Sequence, residues 1–251
     1  MKKYFTGSTL KILAIVSMLI DHIGQVILKN GIMLHAPYSA FTDKEFSVII
    51  TLSELFHIIG RVAFPIFCFL LVEGFLHTRN LKKYMWNLGV FAVISEPVYD
   101  LAFKGRLISI EAQNVLFTLL LGLIILVIIR KYHNHILPMF VVTLVGAILA
   151  DKYMLDGKYY GIILIVAFYF FHDKKLLKYI IVIFIMFVCG LDFALKRLLD
   201  PYFLTSVFSL IPIILYNGKR GIKMKYFFYA FYPVHLLLLF IVTKLWIIPL
   251  F

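Results

Sequence analysis

Ionisable side chains recur inside apolar runs of this sequence. Placing an ionised group at mid-bilayer costs about 2.5–3.5 kcal/mol, so each is a functional candidate by default. Asp21 and His22 are adjacent, and Ser17, Asp21 and Gln25 recur at i, i+4, i+8 on one helical face. Glu54, His57 and Arg61 follow at i, i+3, i+7. Arg61 stays charged, so it needs an anionic ligand or an acidic partner, for which Asp21 is the natural candidate. Glu96 and Asp100 stand at i, i+4 around Pro97, a pair able to hold a proton, a cation or a basic partner. Gln113 and Asn114 open another apolar run, and Tyr229, Tyr232, Pro233 and His235 lie in the last one. A lone interior histidine is more often hydrogen-bonded structure, so His235 ranks below His22.

A carboxylate that orients an imidazole raises its basicity, which suits deprotonation of an acceptor hydroxyl or amine. Adjacent helical residues project about 100° apart. The carboxylate touching His22 is therefore Asp21, Glu54, Glu96 or Asp100, and spacing leaves the choice open. Serine hydrolysis is disfavoured, because no G-x-S-x-G elbow is present. No HExxH spacing joins His22, His57, Glu96 and Asp100, and no metal is expected. In Tyr216-Asn217-Gly218-Lys219-Arg220-Gly221, two glycines permit close backbone approach and two cations could meet phosphates. The same string also suits an ordinary basic loop.

These groups need membrane-spanning helices to hold them. The chain is 63% hydrophobic and 15% charged, against about 45–50% and about 25% in soluble domains. Apolar runs near 10–28, 54–75, 83–103, 113–130, 136–152, 160–172, 176–192, 202–216 and 226–249 predict an all-α polytopic membrane protein with about nine helices. The sixth run is short. The longest connection is 29–53, no repeat is evident, and residues 1–251 read as one transmembrane unit. The first run follows Lys2 and Lys3 but lacks a small-residue cleavage site, so a retained helix is expected. Cys68 and Cys189 lie in apolar runs, which argues against a disulfide framework.

The net charge of +12 falls in short loops, where it orients helices and meets lipid headgroups; nucleic acid is not an expected partner. A cytoplasmic N-terminus puts fifteen Lys and Arg inside, including Lys2, Lys3, Arg130, Lys219 and Arg220, and nine outside, including Lys104, Lys196 and Arg197. In that topology Asp21, Arg61, Glu96, Asp100, Gln113 and Asn114 share the outer half of the membrane, suggesting one polar chamber. Pro65 removes the hydrogen bond to the Arg61 carbonyl and should loosen the helix there. Glu73, near His77 and Arg79, reads as an interfacial charge.

Several strings together resemble the TraX family. They are Leu10–Gly24 with its Asp-His pair, Ile59–Phe67, Val72–Asn80, Ile94–Pro97, Gln113–Thr118, Tyr216–Gly221 and Phe231–His235. They run in order over nearly the whole chain. That family includes the acetylase of conjugative F pilin, which acts in the inner membrane, and it is distantly similar to the wider transmembrane acyltransferases. The resemblance implies acetyl-CoA as co-substrate, a bacterial inner-membrane location, and a match between His22 and a membrane histidine held to be catalytic in the wider group. The pilin acceptor itself does not transfer, and a peptide, glycan or small molecule stays open.

The combined expectation is an acetyltransferase. Lys219 and Arg220, with Asn217 and Gly218, take the CoA phosphates. His22 with Asp21 acts as base or transient carrier, Glu96 is a further candidate in the catalytic group, and Arg61 or Asn114 faces the oxyanion. Asp100, Gln113, His57, Tyr232 and His235 line the substrate site. The rivals are a proton- or ion-coupled transporter, which would favour inverted repeats, and a non-enzymatic scaffold in a secretion complex.

Overall fold

The computed structural model describes residues 4–132, 135–190 and 198–251. Lys2, Lys3, Lys196 and Arg197, used in the charge count, lie outside the described residues, as does the end of the run at 176–192. Polar caps start the helices. Thr6 Oγ1 accepts from the Thr9 amide at 3.2 Å and opens α1 (Gly7–His22). A capping box between Thr42 and Glu45 opens α2 (Asp43–Gly60), which passes through a turn into α3 (Ala63–His77). Asn80 caps α4 (Leu81–Lys104), which ends at Gly105 in the left-handed region (φ 70°). Asn114 caps α5 (Val115–Lys131), followed by α6 (Ile136–Lys152), α7 (Lys158–Phe170) and α8 (Lys175–Gly190). Asp200 caps α9 (Pro201–Phe208); α10 (Leu210–Ile214) and α11 (Lys225–Val242) complete the described helices.

Among the described residues, three helices are long and apolar enough to cross a membrane: Gly7–Met33, Asp43–His77 and Tyr226–Leu250. Lys158–Phe170, Leu176–Cys189 and Pro201–Ile214 are shorter apolar helices. Each of the nine apolar runs coincides with helix, with three differences. The connection expected at 29–53 is largely helical, because α1 continues as a π-helix over Ile23–Met33 and the Thr42 cap starts α2 ahead of its apolar part. Second, the helix of 35 residues from Asp43 to His77 would run about 52 Å, so only part of it fits in about 30 Å of hydrocarbon. Third, the run at 202–216 is two helices: Pro212 has no amide to offer the Phe208 carbonyl, and Ser209 sits at the joint.

One core cluster links the helices, with Leu10, Ile66, Leu123, Leu126, Ile165 and Leu236 fully buried. The outer surface is also apolar: Leu137, Phe140, Leu144 and Ile148 of α6 are exposed at helical spacing, as a lipid-facing stripe would be. Contacts sort the helix ends into two sets. At one end Phe69 packs on Tyr216 (5.6 Å), Arg130 lies over Phe75 (4.5 Å), and the start of α1 meets the Tyr216–Ile222 segment. At the other, Asn30 of the π-helix donates to the Ala102 and Phe103 carbonyls (3.2 Å each), and Gln113 pairs with Met154 and Asp156.

Candidate functional site

The second end holds a cavity of about 560 Å³ walled by α1, α2, α3, α7, α8, α9, α11 and the α6–α7 turn. This volume falls in the usual range of small-molecule sites. Asp21, His22, His57, Arg61, Asp156, Asp200, Tyr160, Tyr202 and Tyr232 reach it. Its position follows from the break between α2 and α3. The Arg61 and Val62 amides bond three residues back, to Ile58 and Ile59 (3.1 and 3.3 Å), and Pro65 has no amide for the Arg61 carbonyl. Ser17 Oγ donates to the Ile59 carbonyl at 2.6 Å, so α1 supports the backbone where α2 loosens. The Pro65 expectation therefore holds, with the break falling at Arg61 and Val62.

Two histidine chains converge on the cavity. His57 Nδ1 lies 2.5 Å from Asp21 Oδ1, an ion-pair distance without the alignment of a good hydrogen bond. Its other nitrogen, Nε2, lies 2.6 Å from Arg61 Nη2. The second chain is buried. His235 Nδ1 is 2.7 Å from the Phe231 carbonyl, and His235 Nε2 is 2.7 Å from His22 Nδ1. A carbonyl only accepts, so His235 Nδ1 carries a proton and neutral His235 accepts at Nε2. His22 then donates from Nδ1, and its Nε2 keeps a lone pair. His22 is 8% exposed and lines the cavity; His235, 5% exposed, stands behind it. The ring of Tyr232 meets His22 edge-on at 6.1 Å.

A family model for TraX protein matches residues 6–243. The chain belongs to the TraX family. It is 28% identical, over 253 residues and 94% of each chain, to a protein from Dichelobacter nodosus named "Probable fimbrial assembly protein FimC, serogroup H1". No solved structure matches it. The TraX match runs from the Thr6 cap of α1 to Thr243 beyond α11, and so takes in every cavity residue and both histidine chains.

The cavity gathers only part of the chamber expected from the sequence. Asp21, His22, His57, Arg61 and Tyr232 meet there; Glu96, Asp100, Gln113 and Asn114 do not line it. Glu96 and Asn114 build the start of α5 instead, Gln113 joins the α6–α7 turn, and Asp100 holds the α4–α5 loop at Ser109. Glu96 Oε2 accepts from the Asn114 amide (3.0 Å) and side chain (2.5 Å), Asn114 Oδ1 accepts from the Leu116 amide, and Asp100 Oδ2 accepts from the Ser109 amide (2.7 Å). The first amides of a helix lack intrahelical partners, and carboxylates serve them well. Asp21 also does not pair directly with Arg61, because His57 stands between them. Glu54, placed on the same helical face, is exposed and outside the cavity. In the α4–α5 loop, Lys104 (3.2 Å) and Arg106 (2.7 Å) beside Glu111 hold its carboxyl below the usual glutamate range.

The basic turn also clamps the start of α1. The carbonyls of Lys219 and Arg220 accept from Gly7 and Ser8, the first amides of α1, at 2.8 and 3.0 Å. The Lys219 amide donates to Asn217 Oδ1, and the Ile222 amide to Ser8 Oγ. The side chains of Lys219 and Arg220 remain exposed, with Gly218 at φ 75° shaping the turn. The turn is fourteen helical steps from Asp21, or about 21 Å.

Sequence reading passed over Asp156, Asp200, Tyr160 and Tyr202. Asp156 precedes Gly157 in what reads as a plain connection, yet Gln113 holds its backbone and the Thr118 hydroxyl donates to its carbonyl, fixing it at the cavity wall. Asp200 before Pro201 is a visible helix-start signature, but nothing in the sequence shows that this start faces His57. Both cysteines are free, and Cys189 lines the cavity. Among the described residues no group of three or more His, Cys, Asp or Glu side chains is disposed to hold a metal ion.

Proposed function

We propose that this TraX-family chain is a membrane-embedded acetyltransferase that moves an acetyl group from cytoplasmic acetyl-CoA to an acceptor amine or hydroxyl. The observation that carries the reading is the buried chain from the Phe231 carbonyl through His235 to His22, which leaves His22 Nε2 as a base at the cavity. In the reaction the acceptor attacks the thioester carbonyl as His22 Nε2 takes its proton. The imidazolium charge is shared toward His235, and Arg61 faces the developing oxyanion. Collapse of the intermediate expels the CoA thiolate, which recovers the proton from His22.

The cavity suits the thioester end of acetyl-CoA together with the reacting end of an acceptor, leaving the nucleotide outside it. Lys219 and Arg220 are the exposed cations proposed to meet its phosphates. The reading includes nine spans in a bacterial inner membrane with the N-terminus inside. Arg130, Lys131, Lys219 and Arg220 gather at the end where α1 starts, which favours that end as cytoplasmic. The name of the Dichelobacter nodosus relative supports a pilin-type subunit as one acceptor, alongside glycan hydroxyls.

The test is titration of the purified chain in detergent with acetyl-CoA and its dephospho analogue, followed by release of CoA thiol. Saturable binding weakened by Lys219→Ala/Arg220→Ala is expected, with turnover falling about 10²–10⁴-fold in His22→Ala. Absence of binding at millimolar acetyl-CoA, or full turnover in His22→Ala, overturns the proposal.

A further inference from the structure

We infer that His57 is the positioning residue of Arg61: a neutral bridge, protonated at Nδ1, that passes the charge of Asp21 to the guanidinium. The inference rests on the acetyl-transfer reading for its chemical role but on geometry for the bridge itself. A guanidinium has five N–H donors and no acceptor. With Arg61 Nη2 at 2.6 Å, His57 Nε2 must hold a lone pair, and the ring proton sits on Nδ1, which lies 2.5 Å from Asp21 Oδ1 in a close electrostatic contact rather than an aligned hydrogen bond. His57 therefore differs from His22. His22 has a ring nitrogen left for substrate, whereas both nitrogens of His57 are committed to protein groups.

The surroundings fix this bridge from three sides. Gly60 lets α2 press against α1, since a Cβ there would lie 2.5 Å from the Asp21 Cβ. Ser17 holds the next carbonyl back, so Asp21 and His57 are kept in register. Tyr202 of α9 covers the pair, its ring 6.1 Å from His57 and 5.8 Å from the Arg61 carbon. Arg61 itself is anchored twice to one residue, through Nη2 to the His57 ring and through Nε to the His57 carbonyl at 3.4 Å. Its remaining donors are left for the cavity that Arg61 lines. His57 takes the Nε and Nη2 edge of the guanidinium through its carbonyl and ring, which leaves the Nη1 donors and the second Nη2 donor to a substrate oxygen.

Two measurements test this. Nitrogen-15 spectra of the histidine-labelled full chain in detergent, with His57→Asn identifying the signal, should show His57 neutral and protonated at Nδ1. Asp21→Asn should change that signal. A His57 protonated at Nε2, or at both nitrogens, near neutral pH overturns the bridge whatever the protein catalyses. With acetyl-CoA as probe, His57→Ala should lower kcat roughly tenfold or more, approaching the loss of an oxyanion donor, with KM unchanged. His57→Gln, whose amide oxygen can accept from Arg61, should recover part of that loss, and His57→Asn should not. Equal turnover in wild type and His57→Ala overturns the positioning role. Wild-type protein that neither binds nor consumes acetyl-CoA brings down the acetyl-transfer reading, while the nitrogen spectra still decide the bridge.

Discussion

Single atoms decide how closely α1 and α2 meet. A methyl group at Gly60 would lie 2.5 Å from Asp21 Cβ and 2.6 Å from its carboxyl carbon, so the Gly60→Ala chain must separate the helices or turn Asp21 away. At Gly89 of α4 the same methyl would meet only Leu120 Cδ2, at an ordinary 3.5 Å. Gly60→Ala should therefore destabilise by about 1–3 kcal/mol, the usual cost of overpacking. Gly89→Ala should be neutral or slightly stabilising. Thermal unfolding in one detergent checks the pair, and equal melting temperatures would show that α1 and α2 are not held this tightly. At this scale the sequence identified the residues better than their partners. Arg61 was expected to need Asp21, and it receives that charge through His57. Helical spacing reports which residues share a face, but the depth at which two helices touch depends on where glycines permit contact. The partner of His235 was hidden for a related reason: His22 lies on another helix, 213 positions away.

The break between α2 and α3 was legible because its cause is covalent: proline has no amide wherever it sits. Pro65→Ala returns a donor to the Arg61 carbonyl and should let the helix run on. The expected gain is that of one hydrogen bond, about 0.5–1.5 kcal/mol, seen as a higher melting temperature. Turnover of acetyl-CoA should fall, because straightening the joint shifts Arg61 relative to Asp21 on α1 and Tyr202 on α9. A variant both more stable and fully active would separate the break from function. The clamp of Tyr216–Ile222 on α1 could not be told from an anion nest in the sequence, for an instructive reason. Glycines and cations are shared by both structures, and the difference lies in whether amides or carbonyls face inward. The same holds for Glu96 and Asp100, whose paired spacing suits an ion site and support for backbone amides along the α4–α5 connection equally well.

Across the described residues, hydropathy located every α-helix but not the longer ones' extents, because caps such as Thr42 extend helices past their apolar part. The grouping of helix ends gives a direct test of orientation. Single cysteines at Lys219 and at Ile110, the latter 87% exposed in the α4–α5 loop, lie at opposite ends of the bundle. In a background lacking Cys68 and Cys189, a membrane-impermeant thiol reagent should reach Ile110→Cys in intact cells and Lys219→Cys only after lysis. Labelling of both in intact cells would refute the orientation.

The pairing of His22 with His235 also bears on the order of synthesis. These residues are 213 positions apart, so at 5–20 residues per second the first waits roughly 10–40 s for the second. The clamp on Ser8 waits as long, since its partner Ile222 is 214 positions away. Asp21, by contrast, gains His57 early. The first helix thus enters the membrane with its carboxylate soon matched, while its imidazole and its starting turn are completed only as the last helix arrives. A chain cut short between α10 and α11 would carry every cavity group except Tyr232 and still lack the His235 partner that sets the His22 tautomer. On the proposed acetyl transfer, such premature products are expected to be inert, with competence the last property the chain acquires.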